Sequence, residues 1–139
     1  MMRFKADKNL GDSKETFESI IGQSIVLHGN LLISKGVRVD GMVDGNILQQ
    51  DGQNAVIAIS EKAKVNGDVK ADTVIVAGYL RGNIFSNTRV ELLKTARIDG
   101  NISYGTIGIE VGAIINGVLH QFDTEQIATD LIAQVKQIA

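Results

Sequence analysis

Apolar and polar residues alternate along most of this chain with a period of two, and one short phrase breaks the alternation at near-regular intervals. The phrase is an aliphatic residue, any residue, Gly, Asn or Asp, and a second aliphatic. It reads Leu27-His28-Gly29-Asn30-Leu31, Val43-Asp44-Gly45-Asn46-Ile47, Val65-Asn66-Gly67-Asp68-Val69, Leu80-Arg81-Gly82-Asn83-Ile84 and Ile98-Asp99-Gly100-Asn101-Ile102. A sixth copy, Ile115-Asn116-Gly117-Val118-Leu119, carries Val118 where the others have an amide or a carboxylate. The phrase glycines Gly29, Gly45, Gly67, Gly82, Gly100 and Gly117 follow one another at 16, 22, 15, 18 and 17 residues. Self-similarity at a nearly fixed period marks stacked, equivalent units.

Between the glycines the alternation is that of strands with one buried face. Ile25, Leu27, Leu31 and Ile33 lead into Val37, Val39, Val43 and Ile47, and later into Ala55, Ile57, Ile59, Ala63, Val65 and Val69. The pattern continues through Val74, Val76, Leu80 and Ile84, then Val90, Leu92, Ala96, Ile98 and Ile102, and ends with Ile107, Ile109, Val111, Ala113, Ile115 and Leu119. Each period holds two or three strands of about 4–5 residues. Hairpins would need tight turns between antiparallel partners, whereas here like follows like. The reading is an all-β parallel β-helix of triangular section with about six coils, each ~4.8 Å above the last. Val65 should then stack on Leu80 and Ile98, and the glycines should line one corner, where a bend needs positive φ or leaves no room for a side chain. Asn30, Asn46, Asp68, Asn83 and Asn101 should form a ladder bonded side chain to side chain. The polar stretch 48–54 accounts for the long spacing and is expected to be a loop.

Both flanks lack the phrase. Residues 1–22 are predicted to be a flexible N-terminal tail, in which Phe17, Ile20 and Ile21 have the spacing of one helical turn. Residues 23–121 are the β-helix. Residues 122–139 are predicted to form an amphipathic helix, with Asp123 as N-cap and Gln126 three residues on. Ile127, Leu131, Ile132, Val135 and Ile138 line its apolar side. It is placed either over an open end of the β-helix or on a neighbouring subunit.

Composition narrows the function. Proline is absent while glycine numbers 15, which suits strands with neighbours on both sides. Aromatics are only 4%, so the interior must be filled by Val, Ile, Leu and Ala. Net charge is −2 with no basic block, which gives nucleic acid no footprint. Without cysteine there is neither a disulfide framework nor a thiolate metal site. No apolar run approaches the ~18 residues that span a bilayer, and no signal-peptide pattern precedes the repeats.

Catalytic chemistry is thinly provided. His28 and His120 stand at opposite ends of the array. His28 takes the outward position held elsewhere by Asp44, Asn66, Arg81, Asp99 and Asn116. Asp40, Asp44, Asp68 and Asp99 fall at repeat-equivalent places where Asn substitutes, as turn and solubility residues do. No phosphate-binding loop, dinucleotide fingerprint, zinc spacing or nucleophile elbow is present, so no cofactor is expected. The enzymatic alternative is a left-handed β-helix acyltransferase, whose signature is an aliphatic residue at every sixth position. Steps of six from Val65 reach Ala71, Ala77 and then Asn83, and the register fails.

The ends of the array are its most apolar parts. Ile25, Leu27, Leu31 and Ile33 mark the first coil; Ile107, Ile109, Ile115, Val118 and Leu119 mark the last. Solenoids are ordinarily closed by polar, atypical repeats. Apolar, uncapped ends are instead surfaces on which copies can join, like end to like end or head to tail.

The runs Gly41-Met42-Val43-Asp44-Gly45-Asn46-Ile47, Ala63-Lys64-Val65-Asn66-Gly67-Asp68-Val69 and Val90 through Ile102 resemble a bactofilin domain over roughly residues 22–120, in motif order and in uneven spacing alike. The resemblance implies a right-handed β-helix that polymerises without nucleotide or metal into non-polar filaments. Such filaments are a bacterial cytoskeletal scaffold in the cytoplasm, commonly at the inner membrane, tied to cell shape and to envelope-synthesis proteins. The proline-free C-terminus departs from the family's usual proline-rich tails. Some members bind membrane through a short apolar N-terminus, which makes Met1, Met2 and Phe4, beside Arg3 and Lys5, a candidate membrane contact.

Overall fold

The structure, a computed structural model, describes residues 17–122. Those residues form sixteen short strands, and no helix is present among them. Strands recur in threes and pair only in parallel, each with its counterpart one coil away. The first face carries β1 (Ser19–Ile21), β4 (Gly36–Val39), β7 (Val56–Ile59) and β10 (Thr73–Val76). The second carries β2 (Val26–His28), β5 (Met42–Asp44), β8 (Lys64–Asn66), β11 (Tyr79–Arg81), β13 (Arg97–Asp99) and β15 (Ile114–Asn116). The third carries β3 (Leu31–Ile33), β6 (Ile47–Gln49), β9 (Val69–Lys70) and β16 (Leu119–Gln121). In the last two coils β12 (Ile84–Leu92) and β14 (Ile102–Ile109) run unbroken from the third face around the corner onto the first. The result is a β-solenoid of about six coils with three faces.

Its interior is a set of stacked aliphatic columns, as the alternation requires. On the second face Leu27, Val43, Val65, Leu80, Ile98 and Ile115 are successive partners. On the third the series is Leu31, Ile47, Val69, Ile84, Ile102 and Leu119. Val65 does stack on Leu80 and Ile98. Parallel strands buried on one side by their own coil need no covering helix to close this core.

Corner chemistry explains the uneven glycine spacing. Four corners between the first and second faces are turns, closed by bonds such as Ala63 N–H to Ser60 O (2.9 Å) and Ala96 N–H to Leu93 O (2.9 Å). The other two are shorter and carry Gly41 and Gly78. A Cβ on Gly41 would overlap the carbonyl oxygen of Gly22, and one on Gly78 that of Ser60. Periods with the short corner are the ones of 16 and 15 residues; the others are longer. The spacing of 22 adds the loop after β6. Leu48 and Gln49 belong to that strand, not to the loop. Gln49 pins the loop, its Oε1 accepting from the backbone N–H of Ala55 and of Asp72, both at 2.8 Å.

One expectation is corrected at the N-terminal side. Ser19–Ile21 is a strand pairing with Val37–Val39, not a helical turn or part of a tail. Ile21 stacks under Val39 in the interior, and Phe17 is buried as well. An i, i+3, i+4 spacing over so few residues cannot compete with a waiting strand edge. The membrane candidates Met1, Met2 and Phe4 and the C-terminal helix over 122–139 lie outside the described residues, apart from Phe122.

The corner column of phrase glycines is required by space. A Cβ on Gly45, Gly67, Gly82, Gly100 or Gly117 would overlap the carbonyl oxygen of the phrase glycine one coil before it. Gly29, at the start of the column, has nothing within 4 Å. Gly82→Ala should therefore destabilise the fold by about 2–3 kcal/mol through overpacking against backbone. Gly29→Ala, with φ +131°, should cost about 1 kcal/mol of backbone strain alone. Urea unfolding of the two variants checks the difference; equal midpoints would refute the steric account.

Candidate assembly interface

The phrase that repeats along the sequence builds a ladder parallel to the solenoid axis. Asn30 Oδ1 accepts the backbone N–H of Asn46 at 2.9 Å, Asn46 Oδ1 that of Asp68 at 2.9 Å, and Asp68 Oδ1 that of Asn83 at 3.0 Å. Asn83 Oδ1 then accepts from Asn101, and Asn101 Oδ1 from Val118, both at 3.0 Å. The expected side-chain-to-side-chain ladder is thus corrected: each rung joins a side-chain oxygen to the main chain of the next coil. That N–H faces along the axis at the corner, where no strand partner reaches it. Asn and Asp serve alike because only the carbonyl-type oxygen is used. Val118 receives the last rung and has no side-chain oxygen with which to offer another.

At both ends the same columns run out of neighbours. Val43, Leu80 and Ile98 are 0% exposed in mid-column, while Leu27 and Ile115 at its two ends are only half-buried. Leu31 and Ile33 are likewise half-buried in the first coil, and Ile107 in the last. Leu119, Ile109 and Val118 are 41%, 46% and 66% exposed. Ile25, at the turn before β2, is exposed too. The nine predicted end residues therefore fall into two sets, one at each end of the rod. Val111, which the alternation places on the buried face, is instead 98% exposed, because it sits in the turn that the Ala113 N–H to Glu110 O bond closes; Val26, Leu32 and Ile114 are exposed beside the end residues as well. Among the described residues β1, β2 and β3 each pair on one side only, as do β15 and β16. Their free edges carry rows of backbone donors and acceptors suited to strand addition.

The remaining polar residues are dispersed. His28 holds the predicted outward position over Asp44, with Nδ1 and Oδ2 3.4 Å apart. His120 is on another face at the far end, edge-on to Phe122. Asp40 pairs with Arg38 at 2.9 Å. Asp99 accepts from the Tyr79 hydroxyl and, at 2.9 Å, from Asn116 Nδ2. The Tyr79 bond, followed by the Asn116 bond, holds the Asp99 carboxyl below its ordinary pKa, and the same bond raises that of Tyr79. The guanidinium of Arg97 lies 5.8 Å from the Tyr79 ring centroid. A groove of about 600 Å³ on the third face is lined by Gln49, Asp51, Asp68, Lys70, Asp72 and Phe85. Gln49 and Asp68 are already committed there to backbone bonds. Among the described residues no group of His, Cys, Asp or Glu is placed to hold a metal ion.

A repeated rung, a glycine corner and two open ends are the features against which known proteins can be compared. The family model described as "Bactofilin: Polymer-forming cytoskeletal" matches residues 19–120. The chain belongs to the bactofilin family. It is 29% identical over 99 residues to bactofilin BacO of Myxococcus xanthus (strain DK1622), covering 71% of this chain and 75% of BacO. It is 27% identical over 118 residues to BacP of the same organism, covering 85% of this chain and about half (48%) of BacP. No solved structure matches. The match starts at residue 19, where β1 starts. As a bactofilin the chain is a polymer-forming cytoskeletal protein and not an enzyme, so the acyltransferase alternative falls. Among the described residues there is no helix long and apolar enough to cross a membrane.

The ladder makes a clean prediction inside the array. Asn83→Ala removes the acceptor and leaves the N–H of Asn101, an exposed residue, to water, which should cost about 1 kcal/mol. Asn83→Asp keeps the oxygen and should stay within about 0.5 kcal/mol of the parent. Thermal or urea unfolding distinguishes the two; an aspartate variant as weak as the alanine one would refute the assignment of Oδ1 as the working atom.

Proposed function

We propose that this bactofilin polymerises end to end through its terminal coils, without nucleotide, as a right-handed solenoid. The observation that carries the reading is the contrast within single columns, buried in mid-array and half-open at Leu27, Leu31, Ile115 and Leu119. Fully burying one such side chain is worth about 1.5–3 kcal/mol, and several are available at each end. The unpaired strand edges add main-chain hydrogen bonds once a second copy arrives.

Ladder direction supports contact between like ends. Head-to-tail stacking would set Val118, which has no side-chain acceptor, against the main chain at Asn30. A two-fold contact of first coil with first coil, and of last with last, does not call on that rung. Filaments made this way have no polarity. The cellular role that follows is a scaffold for cell shape or envelope organisation in the cytoplasm, with envelope-synthesis proteins as partners.

Two experiments test the reading. Val118→Asp charges an exposed residue of the last coil, and Leu27→Asp charges the first. With the β-sheet circular dichroism retained, each variant alone should yield dimers joined through the intact end, and the double variant monomers. Sedimentation velocity and electron microscopy read the sizes. Assemblies as large as the parent's from the double variant would refute terminal-coil assembly, and monomers from either single variant would refute like-end pairing. Membrane contact through Met1, Met2 and Phe4 is tested by removing residues 1–5. Liposome co-sedimentation should fall by an order of magnitude or more, because avidity along a polymer multiplies a weak anchor; unchanged binding would end the idea.

A further inference from the structure

Asparagine followed by glycine occurs twice in the chain, at Asn66-Gly67 and at Asn116-Gly117. Glycine has no side chain to screen its backbone nitrogen, so that nitrogen can reach the amide carbon of the asparagine before it. Every other asparagine is followed by a residue with a side chain. The two pairs hold the same place in the repeat. Both asparagines are exposed on the second face, and each lies over an aspartate one coil before. Asn66 Nδ2 is 3.4 Å from Asp44 Oδ1, and Asn116 Nδ2 is 2.9 Å from Asp99 Oδ1. The pairs differ at the glycine N–H. Gly67 is half-buried, and its N–H donates to Arg81 O of the following coil at 2.9 Å, as Gly29, Gly45, Gly82 and Gly100 donate to theirs. Gly117 stands exposed in the last coil, and its N–H meets no acceptor among the described residues.

We propose that Asn116-Gly117 is a site of spontaneous self-modification, at which the last coil converts Asn116 to aspartate and isoaspartate. The Gly117 nitrogen gives up its proton and bonds to Asn116 Cγ. The bond from Cγ to Nδ2 breaks, and Nδ2 leaves as ammonia with that proton. Water then opens the five-membered succinimide that remains. Opening between the nitrogen and Cγ gives aspartate. Opening between the nitrogen and the main-chain carbonyl carbon gives isoaspartate, in which the chain runs through Cβ and Cγ. Nothing is oxidised or reduced, and water is the only co-reactant. At Gly67 the same step must wait for a local opening, because the next coil holds the N–H. Either product takes a donor from Asp99 and sets a second carboxylate against it, where like charges repel. Isoaspartate also lengthens β15 by an extra main-chain carbon, against the register of Asp99 with Asn116. The modification therefore loosens the last coil, whichever way copies assemble.

Peptide mass spectrometry follows both asparagines in the full chain carrying Leu27→Asp and Val118→Asp, held at mildly alkaline pH. The charges keep a second copy off the last coil, and Val118→Asp gives both sites the local sequence Asn-Gly-Asp. Asn116 should show the mass change of amide to acid at least about tenfold faster than Asn66, with isoaspartate among the products. The parent chain, kept dilute, should give the same ratio, which covers a variant that fails to fold. In urea the two rates should converge. Equal rates in the folded chain would overturn the proposal, and so would aspartate as the sole product. A difference that persists in urea would also overturn it, since the open coil would not be its cause.

Discussion

The close stacking of backbone on backbone at one corner is the constraint from which the rest follows. Each phrase glycine lies so near the carbonyl of the glycine one coil before it that no side chain fits between them. That proximity brings the following N–H within reach of an Asn or Asp oxygen from the preceding coil. Glycine and amide are two halves of one device: the first lets coils approach, and the second locks their register. A one-residue slip would turn every inward aliphatic outward, so the register lock is also what keeps the columns of Val, Leu and Ile inside.

Because every coil is held by the next, the ends are unlike the middle for reasons no local sequence change could remove. An internal coil has its columns filled above and below, whereas a terminal coil has them filled on one side. The solenoid resolves this either by capping or by addition of another copy. Leu119, Ile109 and Val118 stay open in the last coil, and Val118 stops the ladder besides. The chain belongs to a family described as polymer-forming, and addition of copies at these ends is the assembly proposed for it.

Much of this was legible in the residues, and the limits of legibility are physical. Period-two alternation with a repeated Gly-Asn predicted parallel coils, the partners of Val65 and the glycine corner. The ladder's true acceptor–donor pairing was not legible, because a column of amides has the same sequence signature whether it bonds to itself or to the main chain. The natural presence of Asp68, which has no side-chain donor to pass on, was the available clue. β1 was missed since Ser19-Ile20-Ile21 lacks the phrase and its pairing edge comes only from Val37–Val39. Corner lengths were hidden for a related reason: a turn and a single glycine both read as polar breaks.

The burial of Ile75 was the least legible feature. Alternation assigns Ile75 to the outside, where one isoleucine is unremarkable; only its complete removal from water marks a covered surface.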